Sequence, residues 1–512
     1  MNYLEATIKE LVESKIKTLD GLAKAKRRIA KKYKSSCPSN ISLLRTYHEI
    51  VKSESRKPSK IIESLLITRP IRSLSGIVNI SVLTKPYPCP GKCLYCPIEP
   101  GIPKSYVSGE PAVERAKKLN FNPYLQVKRR IEMLKAEGHP TDKIELRIVG
   151  GTWSYYPKRY QNWFIKRCFI ACNEKIGRSL KEAQRSNEKA KHRVVGLSIE
   201  TRPDFIDKKE IRHLRELGVT LVEIGVQSIY DDVLKKNLRG HDIKETISAT
   251  KLLKDAGFKV LYQMMPNLAG SSLERDEKMF SELFQNQDFQ PDLLKIYPCA
   301  LLKESPLYKL WRRGQYKPYT KSQLINLIKK IKKTIPYYIR IQRISRDIPS
   351  SSIVSGPAKI SNLRQLLAEI IKRENWRCKC IRCREVRRAY DPRERIYLLR
   401  IDYQASGGKE VFLNFENKKR TKLYSLLRLR ITSRNKAVIR EIHTYGLLIP
   451  IAGKETAPQH RGLGKKLMKE AEKITKREFH LKKISVIAGV GTREYFKKLG
   501  YKLEDTYMTK KL

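Results

Sequence analysis

Cys89-Pro90-Gly91-Lys92-Cys93-Leu94-Tyr95-Cys96 places three cysteines close together in the first third of the chain. Cysteine thiolates are the usual ligands of iron–sulfur clusters. Three of them hold three irons of a four-iron cluster and leave the fourth iron without a protein ligand. An iron with an open position can bring a bound sulfonium to reductive cleavage, which yields a carbon radical. The competing reading is a zinc knuckle, which needs a fourth ligand nearby. None follows in the next stretch, so a [4Fe-4S] cluster is the expectation.

Other polar groups fall at the ends of strand-like runs. Gly150-Gly151-Thr152 ends one such run, and paired glycines let a backbone approach a ligand closely. Glu200-Thr-Arg202 ends the next, and Gly225-Val-Gln227 the one after. Nearer the C-terminus, Gln459-His-Arg461-Gly462-Leu463-Gly464-Lys465 opens a helical pattern. Glycines at a helix start expose N–H groups to an anion such as a pyrophosphate. Glu441-Ile442-His443-Thr444 precedes it and Tyr495-Phe496 follows it. Tyr495 is a candidate proton donor to a leaving thiolate, with core packing as the alternative. His443 reads as a strand residue rather than a base. Cys378, Cys380 and Cys383 have spacing that supports zinc with one ligand missing locally, Cys299 or a histidine being candidates for it.

The elements that position these groups differ along the chain. Residues 1–75 read as a basic helical region. Its segment from Lys24 to Lys34 sets Ile29 and Tyr33 on one face among cations that include Lys26, Arg27, Arg28, Lys31 and Lys32. Residues 76–345 alternate β-rich runs (Ile77–Leu83, Ile144–Val149, Val194–Ile199, Leu221–Val226, Lys259–Met264 and Leu293–Tyr297) with helical patterns. Such alternation predicts parallel βα units, here an α/β partial barrel of six. Barrel chemistry sits at the C-terminal ends of the strands, where the cysteine loop and the glycine turn fall. Residues 346–395 form a linker with the second cysteine cluster, and 396–512 read as an α+β domain.

The chain has 512 residues and a formal net charge of +55, from 107 basic and 52 acidic side chains. That excess predicts a polyanionic partner, most simply nucleic acid. A lysine-rich proteome would raise Glu alongside Lys, which is not the pattern here. No apolar run is long enough to span a membrane, and the N-terminus lacks the apolar core of a secretory signal. Clustered cysteines point to metal ligation in a reducing, cytoplasmic setting.

Together these segments resemble the catalytic subunit of Elongator in its stand-alone archaeal or bacterial form, the tRNA uridine(34) acetyltransferases. That family joins a radical S-adenosylmethionine (SAM) barrel to a GCN5-related acetyltransferase domain. The resemblance rests on Cys89–Pro97, Asp142-Lys143-Ile-Glu, Gly150-Gly-Thr-Trp, Ser198–Asp204, Glu223–Ser228, Met264-Met-Pro-Asn, Lys295-Ile-Tyr-Pro298, Cys380–Val386 and Glu441 through Gly464. It implies an acyltransferase that forms 5-carboxymethyluridine at the wobble uridine of tRNA, with acetyl-CoA donating two carbons. In the implied route an electron reaches the cluster and SAM is cleaved. The adenosyl radical takes hydrogen from the acetyl methyl group, the carbon radical adds to C5 of uracil, and hydrolysis releases CoA. A cofactor carries such steps because the C–H bond is too strong for base chemistry. A single-stranded anticodon loop can present the unstacked base. The resemblance further implies that Lys143 contacts acetyl-CoA, with Glu441–Thr444, the loop Leu463–Lys465, Tyr495 and Phe496. It implies that the cluster is held by Cys89, Cys93 and Cys96 and SAM by Gly150, Gly151, Thr152, Glu200, Arg202 and Gln227. Expected partners are tRNA through its anticodon stem-loop, an electron donor and a second copy in a homodimer, with no membrane.

Three positions depart from the family pattern: Phe496 stands where a second tyrosine is usual, Gln263 where histidine is common, and Ala269 where proline is. Phenylalanine cannot donate a proton, so an acid role would fall to Tyr495. Two other functions compete. A protein lysine acetyltransferase would use the C-terminal domain alone and leave the cysteine loop without a role. A catalytically weakened tRNA-binding homologue would bind tRNA and release no CoA.

Overall fold

In the computed structural model, the residues described are 3–14, 16–55, 57–387, 389–446 and 462–512. The N-terminal region folds as four helices, α1 (Tyr3–Glu13), α2 (Leu19–Lys32), α3 (Asn40–Ser53) and α4 (Lys60–Leu66). The Thr18 hydroxyl caps α2 by accepting from the Gly21 N–H at 3.1 Å. Leu22, Ala25 and Ile29 are the buried stripe of α2, and Leu22 and Ala25 join one core with Ile8 and Leu11 of α1 and Leu43, Leu44 and Tyr47 of α3. The helix stops at Lys32, one residue short of the expected face-mate, and Tyr33 is its exposed C-cap.

The central sheet is parallel and runs in chain order: β1 (Val78–Leu83), β2 (Lys143–Val149), β3 (Arg193–Thr201), β4 (Leu221–Gln227), β5 (Lys259–Met264), β6 (Leu293–Ile296) and β7 (Arg340–Ile344). It has one strand more than the six expected. β1 and β7 are its edges and do not pair, so the barrel keeps an open seam. β4 is buried along its whole length, as a strand covered on both faces must be.

The second sheet is mixed, ordered β13-β14-β12-β11-β10-β9-β8, with β8 (Ile396–Ala405), β9 (Gly408–Asn417), β10 (Leu423–Ile431), β11 (Ala437–Thr444), β12 (Lys483–Val486), β13 (Lys502–Glu504) and β14 (Tyr507–Lys511). Only β11 and β12 run parallel, and they pair over three residues, Ala437–Ile439. Beyond Ile439 the two strands part. The register of β11 on β10 also slips there, leaving Arg440 as the extra residue of a bulge. Among the described residues, no strand pairs with the splayed half of β11 along the edge that parts from β12.

The two sheets meet tightly. A Cβ on Gly489 would lie 2.1 Å from the Val195 carbonyl oxygen of β3, and one on Gly491 2.6 Å from the Arg193 Cβ. Gly489→Ala is therefore expected to force the halves apart at a cost of about 1–3 kcal/mol. A lower apparent melting temperature would register it; an unchanged one would show that the contact yields. Buried ion pairs reinforce the joint: Arg440 bonds Asp292 at 2.5 and 2.8 Å, and Arg493 bonds Glu188 at 3.1 Å.

Candidate active site

The loop after β1 carries Cys89, Cys93 and Cys96 to the C-terminal mouth of the barrel. There they line a cavity with Gly151, Thr152, Glu200, Arg202 and Gln227. The expected residues thus converge, from loops after four strands. Thr152 Oγ1 lies 3.8 Å from Cys89 Sγ. A hydrogen bond with the Cys96 thiol, helped by the Arg239 guanidinium, pulls the Cys93 thiol down to about 5 against its burial. Gly150 and Gly151 have φ of +133° and +102°, and a Cβ on Gly150 would lie 2.0 Å from Thr84 Oγ1. Only glycine fits that turn, and it bares backbone to the cavity. Gln227 also takes a positive φ, +70°, and its buried Oε1 has no hydrogen-bond partner. The same holds for Arg202 Nη1 and Tyr95 Oη. Buried polar atoms are rarely left unpaired, so these fit a polar ligand.

The donor set fits a four-iron cluster with SAM. Among the described residues, the one group of three or more metal-ligating side chains packed within 4.8 Å is Cys378, Cys380 and Cys383. The three loop sulfurs are not all gathered within that distance, although the Cys93 and Cys96 thiols are hydrogen-bonded to each other. Glu200 accepts from the Tyr106 hydroxyl at 2.8 Å, Gln263 at 3.1 Å and Lys295 at 3.3 Å. Lys295 also pairs with Glu223. Arg202 grips Asp204 with bonds of 2.8, 2.8 and 3.2 Å and the Gly240 carbonyl at 3.0 Å, which places it as support behind the cysteine loop.

A second cavity, of about 580 Å³, opens at the other end of the barrel, where the splayed β11 faces the N-terminal ends of β2 and β3. Glu441, Ile442, His443 and Thr444 form one wall, Gly462, Gly464 and Lys465 another, and Lys143, Tyr495 and Phe496 complete it. Leu463 is buried and joins the hydrophobic core, so only its backbone is available. Gln459 lies outside the described residues. Gly462, with φ +69°, caps the helix Leu463–Arg477, whose first N–H groups provide an anion site. The Tyr495 hydroxyl sits over that helix start, 3.1 Å from where a Cβ on Gly464 would lie. Burial raises its pKa, so it is protonated at neutral pH. Phe496 is 2% exposed and meets Tyr495 edge to face at 5.2 Å. His443 donates through Nε2 to the Ser75 carbonyl at 2.7 Å and stacks on Tyr445, which leaves it ill placed as a base. Glu441 is salt-bridged to Arg428 at 2.8 Å and Lys259 at 3.6 Å. Against its burial, those cations pull its carboxyl down to about 2.

One strand joins the two cavities. Alternate residues of β2 share a face, and Lys143, Glu145, Arg147 and Val149 are its half-buried row. Lys143 and Glu145 line the cavity against β11, and Arg147 and Val149 the cysteine-side one. Glu145 and Arg147 also line a third cavity, of about 460 Å³, between them along the β1/β7 seam. At about 3.3 Å per residue the row spans about 20 Å. Nine cationic side chains and four carboxylates line that middle cavity, which favours an anionic occupant. Burial, then Arg340 and Arg364, push the Arg382 pKa down to about 9.

Cys378 and Cys380 are buried and Cys383 exposed, their sulfurs close enough for one ion. Cys299 is not their fourth partner: it packs with Cys93, Tyr95 and Tyr316 near the cysteine loop. On α2, Arg27, Lys31 and Lys32 are exposed, Lys26 bonds Asn40 at 2.9 Å, and Arg28 pairs with Glu10. Sequence reasoning assigned no site role to Arg147, Glu223, Arg239 or Lys295. Arg147, Glu223 and Lys295 lie on barrel strands, which was the available signal, whereas Arg239 follows the helix Asp231–Lys236.

Residues 87–283 match the model of the radical SAM superfamily, and 291–373 match the radical SAM C-terminal domain. The chain is 46% identical to the tRNA uridine(34) acetyltransferase of Methanocaldococcus infernus over 541 aligned positions, 99% of this chain and 98% of that one. It is 38% identical to Elongator complex protein 3 of Bos taurus, covering 99% of this chain and 96% of the relative. A solved structure, the archaeal Methanocaldococcus infernus Elp3 with an N-terminal deletion, superposes with a TM-score of 0.76 at 45% identity, covering 86% of this chain and all of that one. The half-barrel, the cysteine loop at its mouth and the acetyltransferase-like sheet fused beneath it agree with these likenesses, and the chain belongs to the radical SAM family of tRNA uridine(34) acetyltransferases and Elongator complex protein 3.

Proposed function

We propose that this protein forms 5-carboxymethyluridine at position 34 of tRNA from acetyl-CoA by SAM radical chemistry, in the cytoplasm. The observation that carries the reading is the row on β2, which runs from the cavity lined by Lys143, Gly464 and Tyr495 to the one lined by the three loop cysteines. The printed names of the relatives point to the same substrate.

Cys89, Cys93 and Cys96 hold the cluster, and the bare backbone of Gly150–Thr152 receives the methionine end of SAM beside Glu200, Arg202 and Gln227. When bound, the cluster and SAM supply a 5′-deoxyadenosyl radical. The glycines and Lys465 at the start of the helix Leu463–Arg477 bind the CoA pyrophosphate. The splayed edge of β11 at Glu441–Thr444 receives the pantetheine amides, and Lys143 orients the acyl end. Tyr495 gives its proton to the departing thiolate sulfur, and Phe496 packs against the carrier. Cations of α2 and of the β1/β7 seam bind tRNA phosphates. A low-potential protein supplies the electron, and Cys378, Cys380 and Cys383 hold zinc as a staple between residues 76–345 and 396–512.

The test is anaerobic reconstitution with iron, sulfide, reductant, tRNA, acetyl-CoA and SAM, followed by nucleoside mass spectrometry. Carboxymethyluridine that needs all three substrates supports the reading. Acetyl transfer to tRNA-free peptides, outrunning the tRNA-dependent reaction, would replace it with the lysine acetyltransferase.

A further inference from the structure

Arg239, just after the helix Asp231–Lys236, is 6% exposed and has no carboxylate partner within salt-bridge distance among the described residues. Burying a guanidinium without an anion is costly. Its two terminal nitrogens are nonetheless committed. Nη2 donates to the Gly225 carbonyl at the end of β4, at 2.6 Å, and Nη1 donates to Cys93 Sγ at 3.7 Å. Residue 225 must be glycine for this approach, because a Cβ there would lie 2.7 Å from Nη2. The strand end thus aims a fixed cation at the middle cysteine of the loop. Nearby His241 adds no charge at neutral pH: burial, then Arg239 and Arg202, push its pKa down to about 2.

We propose that Arg239 sets the reduction potential of the cluster on Cys89, Cys93 and Cys96, by hydrogen-bonding the Cys93 sulfur and holding a positive charge beside it. The inference rests on the cluster reading above. Reduction adds one electron, drawn from an external low-potential donor, to a cluster already bearing three thiolates. A fixed cation against one sulfur stabilises the added charge in a low-dielectric site, and hydrogen bonds to ligand sulfur tune such potentials. Arginine serves because it stays protonated when buried. Arg239 acts through the Cys93 sulfur it bonds, so it is a positioning residue.

The full-length protein, reconstituted anaerobically, is titrated with dithionite and redox mediators while the reduced cluster is followed by electron paramagnetic resonance. Arg239→Gln keeps a donor and removes the charge. It is expected to lower the reduced-to-oxidised ratio at a fixed potential about ten-fold, equivalent to about 59 mV for one electron. Arg239→Lys restores the charge and recovers most of the shift. An unchanged midpoint potential in a cluster-loaded Arg239→Gln overturns the proposal. Should that variant fail to fold, wild type labelled with 15N-arginine carries the test. Its reduced cluster is expected to show a weak 15N hyperfine coupling that Arg239→Lys abolishes, and its absence in wild type overturns the proposal. Wild type that takes up no iron defeats the cluster reading itself. Wild type that makes product, with a potential indifferent to residue 239, defeats this inference alone.

Discussion

Cys93→Ala is expected to reduce carboxymethyluridine formation to nothing detectable by nucleoside mass spectrometry, with tRNA and acetyl-CoA still bound at wild-type affinity. Cys93 is 4% exposed, and its sulfur accepts from the Arg239 guanidinium. Alanine removes one of three thiolates, and two cannot hold the cluster while leaving one iron open. Lys143 of the other cavity lies at the far end of β2, about 20 Å along the strand from Val149, and the exposed cations of α2 lie on a separate helical bundle with its own core. Binding should therefore survive, as titration with labelled tRNA and with acetyl-CoA would register. Product from a verified Cys93→Ala preparation would sink the radical mechanism.

Arg440→Ala is expected to destabilise the protein by about 3–5 kcal/mol, because it strips charge from buried carboxylates. Arg440 is 1% exposed and bonds Asp292, Glu410 and the Phe258 carbonyl. Its loss leaves Asp292 with Arg428 at 3.5 Å, the more distant Lys254 ammonium and the Val260 N–H at 2.9 Å. The change should also reshape the pH dependence. In wild type, Arg440 and neighbouring cations overcome burial and hold the Asp292 carboxyl far below the usual carboxylate range. A depressed carboxyl contributes stability above its unfolded pKa of about 3.9 and loses it as the pH falls through the folded value. In the variant, burial dominates and Asp292 takes a proton more readily. The gap in apparent melting temperature should be widest at neutral pH and narrow in acid; a constant gap would show that Asp292 is not the cause.

Much of the cysteine-side site was legible from short-range spacing. Cys89, Cys93, Cys96, Gly150 and Gln227 fall at strand ends, and apolar runs mark six of the strands. The seventh was not legible, because Arg340-Ile-Gln-Arg-Ile carries two arginines. Those side chains face the seam, where a barrel edge tolerates charge. The buried arginines at 428, 430 and 440 were equally hidden. Each looks like a solvent-facing strand residue, and their partners Asp292, Asp255 and Glu410 come from other strands or, for Asp255 and Asp292, from the other half of the protein. Arg239 was overlooked for the same reason: its partner sulfur lies 146 positions away. Tyr33 marks the opposite failure, where local periodicity ran past the true end of a helix.

The backbone-on-backbone fit at Gly489 and Gly491 decides what moves during turnover. With Val195 and Arg193 pressed against those two positions and buried ion pairs bolting the seat, the two workshops share one rigid chassis. A hinge between the two sheets would have to break that seat before it could bring one cavity toward the other. With that seat intact, reacting groups meet by movement of the bound molecules while the frame stands still. Turnover would then be paced by that movement rather than by any opening and closing of the protein.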